Sequence, residues 1–131
     1  MRINYDCMRD ILLELEDKPF YDEHLEICSP GEDELIKTLD KYSPQELMYS
    51  VRKLVQAGLI KSNVILGYEI TNKGHEVLGF IRNDILWEQL RVCAEPYVSC
   101  SLDMILDVLK ENVKSLIYVN IPPKAGDYYD G

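Results

Sequence analysis

One stretch, residues 43–59, carries the signals of both helix ends and limits what the rest of the chain can form. Ser43 is a typical N-cap, and Glu46 stands three positions later, where it would complete a capping box. Pro44 occupies the first helical position, where a missing N–H costs nothing, and Gly58 suits the left-handed turn that ends a helix. The apolar positions between them follow one helical stripe: Leu47, Val51, Leu54 and Val55. The stretch therefore predicts an amphipathic helix with one face on a core.

The opposite face of this helix is uncharged or basic, although the chain has a formal net charge of −9. Residues 1–43 hold 5 Lys/Arg and 12 Asp/Glu, which gives −7. Residues 44–75 hold 4 and 2, which gives +2, and residues 76–131 hold 5 and 9, which gives −4. An acidic total argues against nonspecific nucleic-acid binding, because the phosphates repel the body of the protein. The positive segment consists of the capped helix and the residues after it, up to residue 75.

The segments before this helix predict two more helices. Residues 4–17 show a helical apolar stripe that Asn4 caps and Pro19 ends. Residues 20–28 alternate loosely, as a short strand would. Residues 32–41 predict a second helix with an acidic first turn. Only residues 41–43 separate it from the capped helix, and two helices joined so tightly predict a helix-turn-helix.

The segments after the capped helix predict a hairpin and further helices. Residues 59–61 and 68–71 are strand-like, with turn residues between them. Thr71 then caps a fourth helix, in which Gly74 and Gly79 would allow close packing on a neighbour. The apolar stripe of this helix is Val77, Leu78, Ile81 and Ile85, and it continues through Trp87.

A last amphipathic helix begins at Ser101, and its broad apolar stripe has two interpretations. It closes its own domain, or it dimerises, as paired DNA-reading modules do. The residues predicted for a homodimer interface are Leu102, Ile105, Leu109, Val113 and Leu116.

The order of elements predicts a mostly α protein with a small β-hairpin (α+β), namely a winged helix-turn-helix with a C-terminal helical extension. We assign residues 1–95 to the winged helix-turn-helix domain. Residues 96–120 form the C-terminal amphipathic helix, which packs on that domain or dimerises, and residues 121–131 form a flexible tail.

Two runs of sequence resemble known proteins. Ala57-Gly58-Leu59-Ile60, followed by a wing and Ile70-Thr71-x-x-Gly74, is similar to winged-helix regulators. The longer run from Thr71 to Asp84, followed by Trp87, resembles domain-of-unknown-function family 2513, and the likeness covers roughly residues 3–115. The resemblance implies a winged-helix fold and a bacterial or prophage context. It implies no established activity.

The composition and the motifs exclude several classes of protein. No nucleophile–base pair, phosphate loop or metal cluster is recognisable, so we expect neither an enzyme nor a cofactor or metal. The histidines, His24 and His75, lie far apart, and we expect His75 to pack or hydrogen-bond among the helices. No apolar run approaches membrane-spanning length. We therefore expect a cytoplasmic protein with no membrane partner. The cysteines would be reduced and structural: Cys7, Cys28, Cys93 and Cys100.

The candidate site is a double-stranded DNA interface centred on the capped helix. Arginine pairs with guanine, glutamine with adenine, and lysine with phosphate. The alternative is that these are ordinary solvated side chains. The residues are Tyr49, Arg52, Lys53 and Gln56 on the helix, Lys61 and Asn63 on the wing, and Lys73 at the next helix N-terminus.

This interpretation leads to two candidate functions. The first is a small DNA-binding transcriptional regulator of phage or mobile-element origin. The alternative is an acidic winged-helix module that binds a protein and not DNA. A continuous basic surface through Arg52, Lys53, Lys61 and Lys73 would favour DNA. Interruption of that surface by Glu46, Glu69 or the acidic second helix would favour a protein partner.

Overall fold

The computed structural model describes residues 1–63 and 67–94, together with Asp107 and Glu111. The chain divides into two units, Met1–Trp87 and Glu88–Gly131. The residues predicted for the dimer interface, the predicted tail and the tip of the wing lie outside the described residues. The described elements are α1 (Tyr5–Asp17), α2 (Glu32–Thr38), α3 (Pro44–Gln56), β1 (Ile60–Asn63), β2 (Gly67–Ile70), α4 (Asn72–Ile81) and α5 (Asp84–Ala94).

This order confirms a mostly helical chain with a two-stranded antiparallel hairpin. The core of the first unit is built from α1, α3, α4 and the residues around β1. Its completely or almost completely buried side chains include Ile11, Leu12, Leu35, Leu47, Leu54, Leu59, Ile60 and Leu78. Within the described residues, no helix is long and apolar enough to cross a membrane.

Helix α3 has the predicted caps. The Ser43 hydroxyl accepts from the Glu46 N–H at 3.1 Å, and Gly58 has a φ of +76°. The Glu46 carboxylate was predicted to bond the Ser43 N–H. It accepts instead from Asn4 Nδ2 at 2.5 Å, and this bond ties α3 to the start of α1. Helix α2 ends at Thr38, before the predicted Lys41, because the chain turns at Leu39, whose φ and ψ are not helical.

The strands of the hairpin begin and end within two residues of their predicted bounds. β1 and β2 pair Lys61 with Glu69 and Asn63 with Gly67. Gly67, predicted in the turn, opens β2 with a φ of +87°, and a Cβ there would lie 2.5 Å from the Ser29 carbonyl oxygen. The Tyr68 N–H donates to the Pro30 carbonyl at 2.9 Å. The connection between α1 and α2 therefore lies along the outer edge of β2.

The predicted short strand at residues 20–28 is wrong. The structure has only an isolated bridge there, between Tyr21 and Ile27. The cause is local, because the Asp22 side chain accepts from the N–H groups of His24 and Glu26 and turns the chain back on itself.

The predicted continuation of α4 through Ile85 is also wrong. Helix α4 ends at Ile81, and the Asn83 side chain caps α5 by accepting from the Leu86 N–H at 3.0 Å. Ile85 is consequently 75% exposed, whereas Trp87 is buried as predicted. The Trp87 indole N–H donates to Asp6 of α1 at 3.0 Å.

Only one of the two α4 glycines has the predicted packing role. A Cβ on Gly74 would lie 2.1 Å from the carbonyl oxygen of Leu59, the residue before β1. Only glycine at position 74 therefore allows α4 to pack this closely. A Cβ on Gly79 would meet no atom of the described residues within 4 Å, so the prediction for Gly79 is wrong.

Candidate nucleic-acid interface

The outer face of α3 is the polar surface to which the sequence points. Leu47 and Leu54 fix the inner face, because both are fully buried. Successive residues turn by about 100° around a helix. The opposite face therefore carries Gln45, Tyr49, Arg52 and Gln56, of which Tyr49 is half-buried and the others are exposed.

The side chains of Tyr49, Lys53 and Gln56 contact one another and so hold one another in place. The Lys53 ammonium lies 5.4 Å from the centre of the Tyr49 ring and 3.3 Å from Gln56 Oε1. Such a cation–π contact holds a lysine along the helix surface without neutralising its charge. Within the described part of the chain, Arg52 makes no hydrogen bond or ion pair, so its guanidinium is available to a ligand.

The wing contributes a cation that already has an ionic neighbour. Lys61 Nζ lies 3.5 Å from the Glu69 carboxylate on the paired strand. The two side chains are 67% and 39% exposed. An exposed pair of this kind contributes little to stability. Lys61 can therefore exchange Glu69 for a phosphate at small cost. Ser62 and Asn63 are exposed beside it.

Lys73 contacts the C-terminal end of α3 and not the outer face of that helix. Its ammonium donates to the Ala57 carbonyl at 2.8 Å, at the C-terminal end of α3. A cation there is favoured by the helix dipole. Thr71 makes a similar contact, because its hydroxyl donates to the Gly58 carbonyl at 2.5 Å. Lys73 and Thr71 therefore fasten the start of α4 to the end of α3.

The distribution of charge around α3, which was to distinguish a DNA partner from a protein partner, gives a mixed outcome. Glu46 bonds Asn4 of α1 and leaves the outer face of α3 without a carboxylate. Glu69 does interrupt the wing, where it pairs with Lys61. Arg52 and Lys53 are thus the cations on the outer face of α3, and Lys61 of the wing is paired with Glu69. Gln45 belongs to the same face and was omitted from the predicted site, although its spacing of four residues from Tyr49 indicates it.

The other titratable side chains do not converge on a second centre. Among the described residues, no group of three His, Cys, Asp or Glu side chains is placed to hold a metal ion. His75, expected to pack among the helices, is exposed at the first turn of α4. Burial raises the pKa of the Cys7 thiol above its ordinary value, so this thiol stays protonated at neutral pH.

Comparison with known proteins gives a family and no activity. A family model described as a hypothetical protein, DUF2513, matches residues 2–96. An uncharacterized protein of Haemophilus influenzae is 29% identical over 126 residues, which cover 89% of this chain and 96% of that protein. No solved structure matches the chain.

Proposed function

The chain belongs to the DUF2513 family of hypothetical proteins, as residues 71–84 predicted, and we propose that it is a small winged-helix protein that binds double-stranded DNA. The proposal includes a role as a transcriptional regulator of phage or mobile-element origin. One observation carries it. The exposed face of α3 presents Arg52 and Lys53 between glutamines, with no carboxylate, in a unit that is otherwise strongly acidic.

The arrangement of elements supports a winged helix-turn-helix. A short connection joins α2 to α3, with the Tyr42 N–H donating to the Leu39 carbonyl at 3.2 Å. The hairpin follows α3 directly. The contact between Pro30 and Tyr68 places the α1–α2 connection beside β2, where a winged helix has its first strand. In this fold, the second helix of the motif enters the major groove.

Each side chain then has a distinct role. Arg52 pairs with a guanine edge, and Gln45 or Gln56 pairs with adenine. Lys53, ordered against Tyr49, contacts a phosphate. Lys61 leaves Glu69 for the backbone of the neighbouring groove. Such a site makes about two or three phosphate contacts, which predicts a slope of roughly −2 to −3 for log K against log salt.

The test is fluorescence anisotropy of a labelled mixed-sequence duplex, titrated from low to physiological salt. We expect binding that weakens with salt and is lost in the double variant Arg52→Ala/Lys53→Ala. Lys18→Ala is the matched control, because it removes a cation from the end of α1 and should leave binding nearly unchanged. Arg52→Lys separates the two roles of Arg52, because it keeps the charge and loses bidentate pairing with guanine.

Two outcomes would overturn the proposal. One is no binding at low salt. The other is an equal loss of affinity in the double variant and in Lys18→Ala, corrected for the number of charges removed, because binding would then follow net charge and not α3. Circular dichroism of each variant checks that the fold is intact.

The alternative function is a protein-interaction module that does not bind DNA. The specific observation in its favour is that Lys61 pairs with Glu69 and Lys73 bonds Ala57, which leaves α3 with two cations. Absence of binding in the anisotropy experiment would favour this alternative.

A further inference from the structure

The connection between α1 and α2 exposes an unusual number of apolar side chains for a loop. We call residues 19–28 the acidic hairpin. Leu25 is 79% exposed and Tyr21 is 54% exposed, and Phe20 and Ile27 are also open to solvent. Contiguous exposed apolar side chains with a polar rim are typical of a protein-interaction site.

The acidic hairpin is held in one shape by its own hydrogen bonds. Asp22 Oδ1 accepts from the His24 and Glu26 N–H groups at 2.8 and 2.9 Å. The Asp22 N–H donates to the Glu26 carbonyl at 2.9 Å. At the base, the Cys28 N–H donates to the Phe20 carbonyl, also at 2.9 Å. A surface ordered before binding loses less entropy when a partner docks.

Leu25 stands at the tip with a φ of +61°. Glycine or asparagine fits this left-handed conformation at lower cost than leucine, which gains nothing from burial at this position. A strained backbone that presents a large apolar side chain to water favours a binding role over a structural one.

The surroundings of the acidic hairpin indicate the chemistry of the partner. Glu23 and Glu26 flank Leu25, and the first turn of α2 adds Glu32, Asp33 and Glu34, all of them exposed. Beside Phe20 lies an open groove whose apolar lining is Leu15, Pro30, Tyr68 and Ile70. Glu16, Lys18 and Glu69 also line it, so carboxylates outnumber cations there. The complement of this surface is an apolar side chain flanked by cations.

We propose that the acidic hairpin and the adjoining groove dock a basic amphipathic helix of a partner protein. The apolar side of that helix covers Leu25 and Tyr21 and inserts a side chain into the groove beside Phe20. Its Lys and Arg side chains pair with Glu23, Glu26 and the acidic turn of α2. None of the residues proposed to contact DNA lines this surface, although Glu69, the ionic partner of Lys61, lines the groove.

The test uses a synthetic amphipathic helical peptide of leucine and lysine, added to the full-length protein labelled with ¹⁵N. We expect chemical-shift changes concentrated at residues 19–28 and around the groove. Leu25→Asn should weaken binding by about tenfold or more, because the apolar side chain that the peptide would bury is lost. This variant suits the left-handed backbone, so its fold and stability are retained.

Three controls make the outcome specific. Ile85→Asn removes an apolar side chain of similar exposure, 75%, on α5 and should leave peptide affinity unchanged. A leucine–glutamate peptide with the same apolar pattern should not bind. Arg52→Ala/Lys53→Ala should bind the leucine–lysine peptide as the wild type does, whatever its effect on DNA.

The proposal is overturned if the peptide causes no shifts, or if the shifts lie away from the acidic hairpin and the groove. It is also overturned if Leu25→Asn binds the peptide as tightly as Ile85→Asn and the wild type do, because the peptide would then be attracted only by net charge.

Discussion

Replacing Gly74 and Gly79 of α4 by alanine should change stability in opposite directions, although the two residues lie in the same helix. A Cβ on Gly74 would be 2.1 Å from the Leu59 carbonyl oxygen, about 1.3 Å short of the 3.4 Å at which ordinary contact begins. That oxygen cannot turn away freely, because it accepts from the Thr71 N–H at 3.0 Å. The Ile70 Cγ2 would lie 2.7 Å away on the same side.

Three contributions set the change in the free energy of unfolding that we expect for Gly74→Ala. Overpacking costs about 1–3 kcal/mol, and displacing α4 also weakens the cap between the Gly74 N–H and the Thr71 hydroxyl, which contributes about 1 kcal/mol. The higher helix propensity of alanine offsets about 1 kcal/mol of this loss in stability. Gly74→Ala should therefore lower the free energy of unfolding by about 2 kcal/mol. Gly79→Ala meets no neighbour and should raise it by about 0.5–1 kcal/mol.

The assay is urea unfolding followed by helical circular dichroism, with both variants measured beside the wild type. Gly79→Ala is the matched control, since it makes the same chemical change in the same helix. If Gly74→Ala is as stable as the wild type, or if both variants shift the midpoint in the same direction, the close contact between α4 and Leu59 is wrong.

The remaining predictions concern a helix end, the partly buried arginine of α1 and two titrating groups. Gly58→Ala should cost about 1–2 kcal/mol in urea unfolding, because the φ of +76° is unfavourable for alanine and a Cβ would meet no neighbour; an unchanged midpoint would contradict this. Arg9→Met should cost about 2–3 kcal/mol by the same assay, since Arg9 donates to the Ile81 carbonyl at 2.8 Å and the Arg82 carbonyl at 3.0 Å. Burial raises the pKa of Cys7 above its ordinary 9.0, and burial and a hydrogen bond to Asp10 raise the pKa of Tyr42 above 10.0. The unfolded chain therefore loses these protons first, so stability should hold below about pH 9 and fall as the pH rises further. Tyr42→Phe should make the fall above about pH 10 shallower, and an equally steep fall would refute the assignment to Tyr42.

The sequence predicts the helix starts well because their signals are local. Asn4, Ser43 and Thr71 each accept from the N–H three residues later, as their positions before apolar stripes indicate. Gly58 likewise ends α3 by a property of its own backbone. These features need no knowledge of distant parts of the chain.

The break between α4 and α5 could not be predicted from the apolar pattern, which continues through it. It depends on the Asn83 cap and on Arg9, a residue of α1 that bonds the last carbonyls of α4. The contacts from α1 are long-range, and no periodicity within residues 72–94 reveals them.

The candidate site also has one part that the sequence predicts and one part that it does not. The outer face of α3 follows from helical spacing, so its membership is predictable. The partners of Lys61 and Lys73 depend on strand register and on the packing of α4 against α3, which the sequence does not specify. The exposure of Leu25 also requires the structure, because a leucine beside Ile27 suggests a core position.

Trp87 gives the protein an internal optical probe. It is the only tryptophan in the chain, and its indole is buried under the Arg9 guanidinium, 5.5 Å from the ring centre, while its N–H bonds Asp6. Its emission should therefore report how firmly the start of α5 is docked on α1, and a red shift should mark their separation before the helices themselves melt. Because Trp87 belongs to neither α3 nor residues 19–28, a change in this emission when a ligand binds at either surface would report a change in the packing of Trp87 against α1.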